Sequence, residues 1–205
     1  EPIIVAVPSK CRSRSMNWDS VYRDCILQND SRNDQIATIA KTCTENGLRT
    51  ISFVNQSDGH GVPLLERYLG FAKEAVLVTG GGEVRILRGG EVVKESWDIK
   101  DVAAYVEGND SVPVIATPVF DEGVSIPSFK AGVLGGGMKK PRKVLQRLGR
   151  GLRKSEEGRE VFWMFDFTDK GHPYTEKHWK DRASIYRRER IKIVGPDDFP
   201  YDIRW

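Results

Sequence analysis

The sequence predicts an α/β domain: a mostly parallel sheet with helices on both faces and a C-terminal helical appendage. Three observations predict it. Short apolar runs alternate with amphipathic stretches of helical period along most of the chain, the order of a sheet built from βαβ units. Turn signals, above all Gly clusters and Asn-Gly, separate them. The chain's 205 residues, 39% hydrophobic and 30% charged, are enough for one large domain that buries about 70% of its unfolded surface without staples.

Taken in order, Ile3 to Val7 is a short apolar strand. A Cys-, Arg- and Ser-rich stretch of no clear periodicity follows. Asp30 or Ser31 can cap a helix whose apolar residues Ile36, Ile39, Ala40 and Cys43 fall at i, i+3, i+4 and i+7, ending at Asn46-Gly47. Arg49 to Val54 reads as a strand, and His60 to Leu69 as a helix with Val62, Leu65 and Leu69 inward. Ala75 to Thr79 is the next strand, which completes a βαβ unit. Glu83 to Leu87, bracketed by glycines, reads as a strand or hairpin. Ile99 to Glu107 is helical, with Gly108-Asn109 as its stop. Val112 to Thr117 and Ala131 to Leu134 are strands, and Pro141 opens a helix through Arg153. Val161 to Phe167 is the last strong strand. A basic, aromatic-bearing helix follows from Tyr174 to about Arg190, and Pro196 to Trp205 reads as a tail. The expected division is a main domain over 1–170, with the helix and tail of 171–205 packed on it.

Composition excludes several classes. The apolar runs fall far short of the roughly 20 residues that span a bilayer, and no charged-then-apolar leader opens the chain, so neither a membrane partner nor secretion is expected. Cys11, Cys25 and Cys43 share no Cys-x-x-Cys spacing and stand far in sequence from His172 and His178, so they read as reduced thiols of an intracellular, cytoplasmic protein with no metal site. The first residue is Glu1 rather than Met, which suggests a processed or excised segment.

The net charge of +3 hides an uneven distribution. Between Met138 and Lys154 stand eight basic residues and no acidic one, which leaves −5 for the rest of the chain. On a helical wheel Gln146, Arg150 and Arg153 form one stripe and Leu145, Leu148 and Leu152 the opposite one. Guanidinium groups in such a row suit phosphate, because their planar fork bonds two oxygens and keeps its charge. Gly149 and Gly151 beside the row, each costing about 1 kcal/mol against Ala in a helix, point to close approach of a ligand or another backbone. Asp121-Glu122 follows a buried strand, where α/β sheets bind ligands. A complete nucleotide site is nevertheless absent: Gly132-x-x-x-x-Gly137 has the glycine spacing of a phosphate loop, but Met138 stands where its Lys must be.

Two long motifs make the reading specific. Ile115-Ala-Thr-Pro-Val-Phe-Asp-Glu-Gly-Val-Ser-Ile-Pro127, followed by Gln146-Arg-Leu-Gly-Arg-Gly-Leu-Arg153, resembles motifs V and VI of superfamily 2 helicases. Arg32-Asn33, Thr50 to Asn55 and His60-Gly61 resemble motif IV and its approach, and Val78-Thr-Gly80 a nucleic-acid-contacting turn. Phe165-Asp-Phe167, His178 and Arg182-x-x-x-Tyr186 resemble the end of phage branch-migration and repair helicases. The resemblance covers about residues 30–190 and implies the second, three-layer RecA-like domain of such an enzyme.

The resemblance also implies roles for individual residues. By it, Arg150 and Arg153 are the arginine fingers toward the γ-phosphate of ATP, and Gln146 orients the nucleotide or the attacking water. Asp121, Glu122, Gly123 and Ser125 form the motif V nucleotide contact, where Gly123 passes the ribose. Ser125 stands where the family commonly has Asp, so the ribose contact is weaker. Thr117, Asn55, Thr79 and Gly80 contact a strand phosphate or backbone. ATP and its Mg²⁺ would be held mainly by the first RecA-like domain, which this chain lacks, so residues 1–205 alone should not hydrolyse ATP. The expected partners are single-stranded or branched DNA and that first domain. Arg187 and Arg188 are further candidate nucleic-acid residues, although Trp179, Ala183 and Tyr186 at i, i+4 and i+7 favour docking of their helix. Two other functions stay open: a non-enzymatic nucleic-acid-binding module of the same shape, and half of an RNA helicase.

Overall fold

A computed structural model describes residues 1–80, 83–109, 111–117, 129–137 and 161–205. Their strands are β1 (Pro2–Val7), β2 (Thr50–Phe53), β3 (Glu74–Val78), β4 (Glu83–Arg88), β5 (Glu91–Ser96), β6 (Val114–Ala116), β7 (Ala131–Leu134), β8 (Phe162–Phe167) and β9 (Lys192–Val194). They form one nine-stranded sheet in the order β5-β4-β3-β6-β2-β7-β8-β1-β9. The seven strands from β3 to β9 in that order are parallel, and β4 and β5 close one end as an antiparallel hairpin. The α-helices among the described residues are α1 (Trp18–Tyr22), α2 (Asp30–Glu45), α3 (Val62–Tyr68), α4 (Ile99–Glu107) and α5 (Pro173–Arg188).

The central strands read as near-continuous apolar runs because both faces of the sheet are covered. On one face Val76, Val78, Val114, Ala116 and Met164 pack against Val102 and Val106 of α4 and Tyr186 of α5. On the other, Leu77, Ile115, Val133 and Phe165 pack against Ile36 and Ile39 of α2 and Leu64 and Leu65 of α3. This is the three-layer arrangement the sequence predicts. The buried stripe of α2 is the predicted Ile36, Ile39, Ala40 and Cys43. Burial pushes the Cys43 thiol up to about 12, partly offset by its bond with Thr50.

Several expectations are corrected. The cap of α2 is Asn29 rather than Asp30 or Ser31: its Oδ1 accepts from the Arg32 N–H at 3.2 Å, and Arg32 and Asn33 lie in the first turn of the helix. Leu69 is exposed, and Leu64, Leu65 and Tyr68 take the inner face of α3. Helix α3 ends at Tyr68, so Leu69 is its C-terminal cap, and a π-helical turn, Ser57–Gly61, precedes it. In the tail, Phe199 and Ile203 are buried, and the Phe199 ring lies 5.0 Å from Phe165 and 5.2 Å from Trp163. Beyond α5 the chain also supplies β9, which pairs with β1.

Cys11 and Cys25 are joined as a disulfide, with Cα atoms 4.7 Å apart, where the sequence suggested thiols. Their separation of 14 residues carries no spacing signal; a second π-helical turn, Arg23–Leu27, brings them together. Cys43 alone is free. Among the described residues no helix is long and apolar enough to cross a membrane, and no cluster of His, Cys, Asp or Glu is arranged to hold a metal ion.

Candidate nucleic-acid interface

Parallel strands put their carboxyl ends on one edge of the sheet. Asn55, Thr79 and Thr117 stand just past the ends of β2, β3 and β6, which are neighbours in the order β3-β6-β2. Residues 24 to 62 positions apart in sequence therefore form one row, continued by Gly135–Gly137 at the end of β7.

The row is held by its own polar groups. Thr117 donates its N–H to Val78 O at 3.1 Å, and Thr79 donates both N–H and Oγ1 to Glu83 O at 3.0 and 2.9 Å. Asn55 Nδ2 donates to Gly136 O at 2.7 Å and to the Tyr22 hydroxyl at 3.1 Å. Gly136 donates back to Phe53 O at 2.8 Å. The glycines are required here: a Cβ on Gly136 would lie 2.8 Å from Asn55 Cγ, and Gly137 has φ +56° with Ile26 against it. Thr79 and Thr117 are nearly buried, whereas Gly80 is exposed and presents backbone at the rim.

Arg32 braces the row from behind. Only 1% exposed, it bonds Asp169 Oδ1 at 2.9 Å and donates to the carbonyls of Gly135 and Leu134, and its guanidinium lies 4.3 Å from the Phe167 ring centre. Asp169, at the end of β8 with φ +42°, also accepts from Ser9 Oγ at 2.7 Å. Asn33 Oδ1 meets His60 Nε2 at 3.0 Å. Burial and the positive charges of Arg32 and Arg67 push the His60 imidazole down to about 3, so it is neutral at ordinary pH. Burial raises the Tyr22 phenol, against the Asn55 bond and the Arg32 charge, and keeps it protonated.

The basic C-terminal helix sits elsewhere. Asp166 takes a bidentate pair from buried Arg182 at 2.8 and 2.9 Å and a third bond from Tyr186 at 2.9 Å, which fastens α5 to β8. Burial opposes the Arg182 charge, but Asp166 outweighs it and raises its pKa. Helix α5 runs from the carboxyl end of β8 back to the start of β9, so exposed Arg187 and Arg188 lie at the opposite edge from Asn55, Thr79 and Thr117.

Solved structures share this architecture. T4 UvsW superposes with a TM-score of 0.72 at 18% identity, over 95% of this chain and 41% of its own. The fold is the RecA-like α/β fold found in helicase C-terminal domains. The C-terminal domain of the DEAD-box protein Dbp5 matches at 0.56 and 16% identity, over 96% of this chain and 92% of its own. The DUF1998 helicase MrfA, bound to DNA and AMPPNP, matches at 0.55 and 16%, over 82% and 22%. The chain thus spans about two fifths of the UvsW chain. No protein-family model and no curated protein matches the sequence.

The other predicted site residues, Asp121, Glu122, Gly123, Ser125, Gln146, Arg150 and Arg153, lie outside the described residues. The segments that carry them follow Thr117 and Gly137 in the chain. Sequence reasoning missed Ser9, Tyr22 and Asp169 as supports of the row. Nothing local marks them, because each acts across a long sequence separation.

Proposed function

We propose that this chain is the second motor domain of an ATP-dependent DNA helicase or translocase, residues 1–170 forming the RecA-like unit and 171–205 its packed appendage. The observation that carries the reading is the alignment of Asn55, Thr79, Gly80 and Thr117 along one edge of the sheet, with the two long helicase-like motifs running on in sequence after Ala116 and Gly137. A strand lying along the row would meet backbone and small polar groups, which position phosphates without reading sequence. The likeness to DNA-bound MrfA supports DNA as that strand.

ATP with Mg²⁺ would supply phosphoryl-transfer chemistry in a cleft formed with a first RecA-like domain. Toward that cleft this chain would offer Arg150 and Arg153, whose guanidinium charge stabilises the γ-phosphate as negative charge develops. Gln146 would orient the nucleotide or the attacking water, and Asp121, Glu122, Gly123 and Ser125 would border the ribose. Closure of two domains that each hold the strand would couple turnover to stepping.

The test is ATPase activity of the parent polypeptide with single-stranded DNA, with RNA and without either. DNA-stimulated turnover that falls about 10³-fold in Arg150→Ala or Arg153→Ala supports the reading, with no turnover by residues 1–205 alone. Undiminished turnover in both variants overturns it, and stimulation by RNA alone transfers it to RNA.

A further inference from the structure

The stretch that the sequence leaves without periodicity, residues 10–16, has a regular exposure pattern. Lys10, Arg12, Arg14 and Met16 are exposed, Cys11 is buried, and Ser13 and Ser15 are partly covered. The segment belongs to no helix or named strand, yet its residues alternate as in an extended chain, where every second side chain shares a face at intervals of about 6.6 Å.

The inner side is spent on anchoring. Cys11 is bonded to Cys25 and donates its N–H to Lys170 O at 2.7 Å. Asn29 donates to Lys10 O at 2.8 Å, Ser13 Oγ to Asp24 at 2.8 Å, and Ser15 O meets His172 Nε2 at 2.9 Å. The outer side is three cations, with Lys170 beside them through the Lys10–Lys170 bridge. None of these four makes an ion pair with a described carboxylate. Lys10, Arg12 and Lys170 line a cleft of about 760 Å³. Its two carboxylates are already engaged, Asp24 by Ser13 and Arg23, and Asp30 by Arg67 at 2.6 Å.

The ridge is continuous with the candidate interface. It leaves the carboxyl end of β1, on the same edge as the ends of β2, β3 and β6, and α1 just beyond it supplies Tyr22, which accepts from Asn55. Fixed cations at regular spacing, without acidic partners, match the phosphodiester backbone of a nucleic acid.

We propose that Lys10, Arg12 and Arg14, with Lys170, form a second backbone-binding track that carries the nucleic acid past the motif edge. The inference rests on the nucleic-acid reading above. The test is the salt dependence of binding of a labelled DNA, single-stranded and duplex in separate arms, to the 205-residue chain and to Lys10→Gln/Arg12→Gln/Arg14→Gln. Loss of three phosphate contacts lowers the slope of log K against log salt by about 2 for a single strand or about 3 for a duplex, and the affinity on the order of tenfold. The arm whose slope falls by its full expected amount identifies the form of DNA held. Arg12→Lys/Arg14→Lys, which keeps the charge, retains the slope and separates a binding role from a folding one. Wild-type binding with an unchanged slope in the glutamine variant overturns the track alone. Absence of DNA and RNA binding by the wild type overturns the track and the nucleic-acid reading together.

Discussion

Arg32 and Asp169, 137 residues apart in sequence, form a buried pair at 2.9 Å that joins the first turn of α2 to the end of β8. The same guanidinium holds the carbonyls of Leu134 and Gly135 at the end of β7. One side chain thus sets the spacing of strand ends along the candidate interface.

Removing one partner leaves the other charge buried and uncompensated, which costs about 3–5 kcal/mol. Arg32→Ala is therefore expected to lower urea-unfolding stability by that amount. Asp169→Asn, which keeps the side-chain shape but leaves the buried Arg32 charge uncompensated, is expected to cost a similar amount. A change below about 1 kcal/mol for Arg32→Ala would mean that the pair does not brace the edge.

His60 makes stability depend on pH. Its folded-state pKa, about 3, lies below the ordinary 6.5, so the unfolded chain takes up a proton that the folded chain refuses. Its contribution is complete above about pH 6.5 and is lost as pH falls toward 3, by at most about 1.4 kcal/mol per pH unit. Urea unfolding at about pH 7.5 and about pH 5 should show this loss in the wild type and a smaller one in His60→Gln. Equal losses in the two proteins would assign the dependence to other groups.

Gly136 tests the glycine run. An added Cβ meets Asn55 Cγ at 2.8 Å and Asn55 N at 3.0 Å, so Gly136→Ala must displace the residue that bonds Tyr22. The expected cost is about 1–3 kcal/mol, with weaker DNA binding measured by fluorescence anisotropy. Gly90→Ala, at a hairpin turn with φ +89° and open space, should lose stability through backbone strain and leave binding unchanged. If both variants bind as the wild type does, the run has no role in the interface.

Local pattern was enough for most of the fold. Period 3.6 found α2 and its buried stripe, and apolar runs found β1, β2, β3, β6, β7 and β8. Where it failed, a distant partner decided. Ile191 to Val194 is too short a β-branched run to be assigned alone, and Lys192–Val194 is a strand through its pairing with β1. The alternation of Lys10, Arg12 and Arg14 had no meaning until Cys25, Asn29, Asp24, His172 and Lys170 showed which side faces inward.

Periodicity and turn chemistry act over a few residues, and they suffice for the α/β class, the order of its main elements and the motifs that single out Asn55, Thr79 and Thr117. Three-dimensional packing was needed to bring those residues to one edge, to brace it with Arg32 and Asp169, and to place Arg187 and Arg188 at the other end. Strand order and buried polar pairing are set by contacts between distant segments, whose free energy depends on what each group meets once water is excluded.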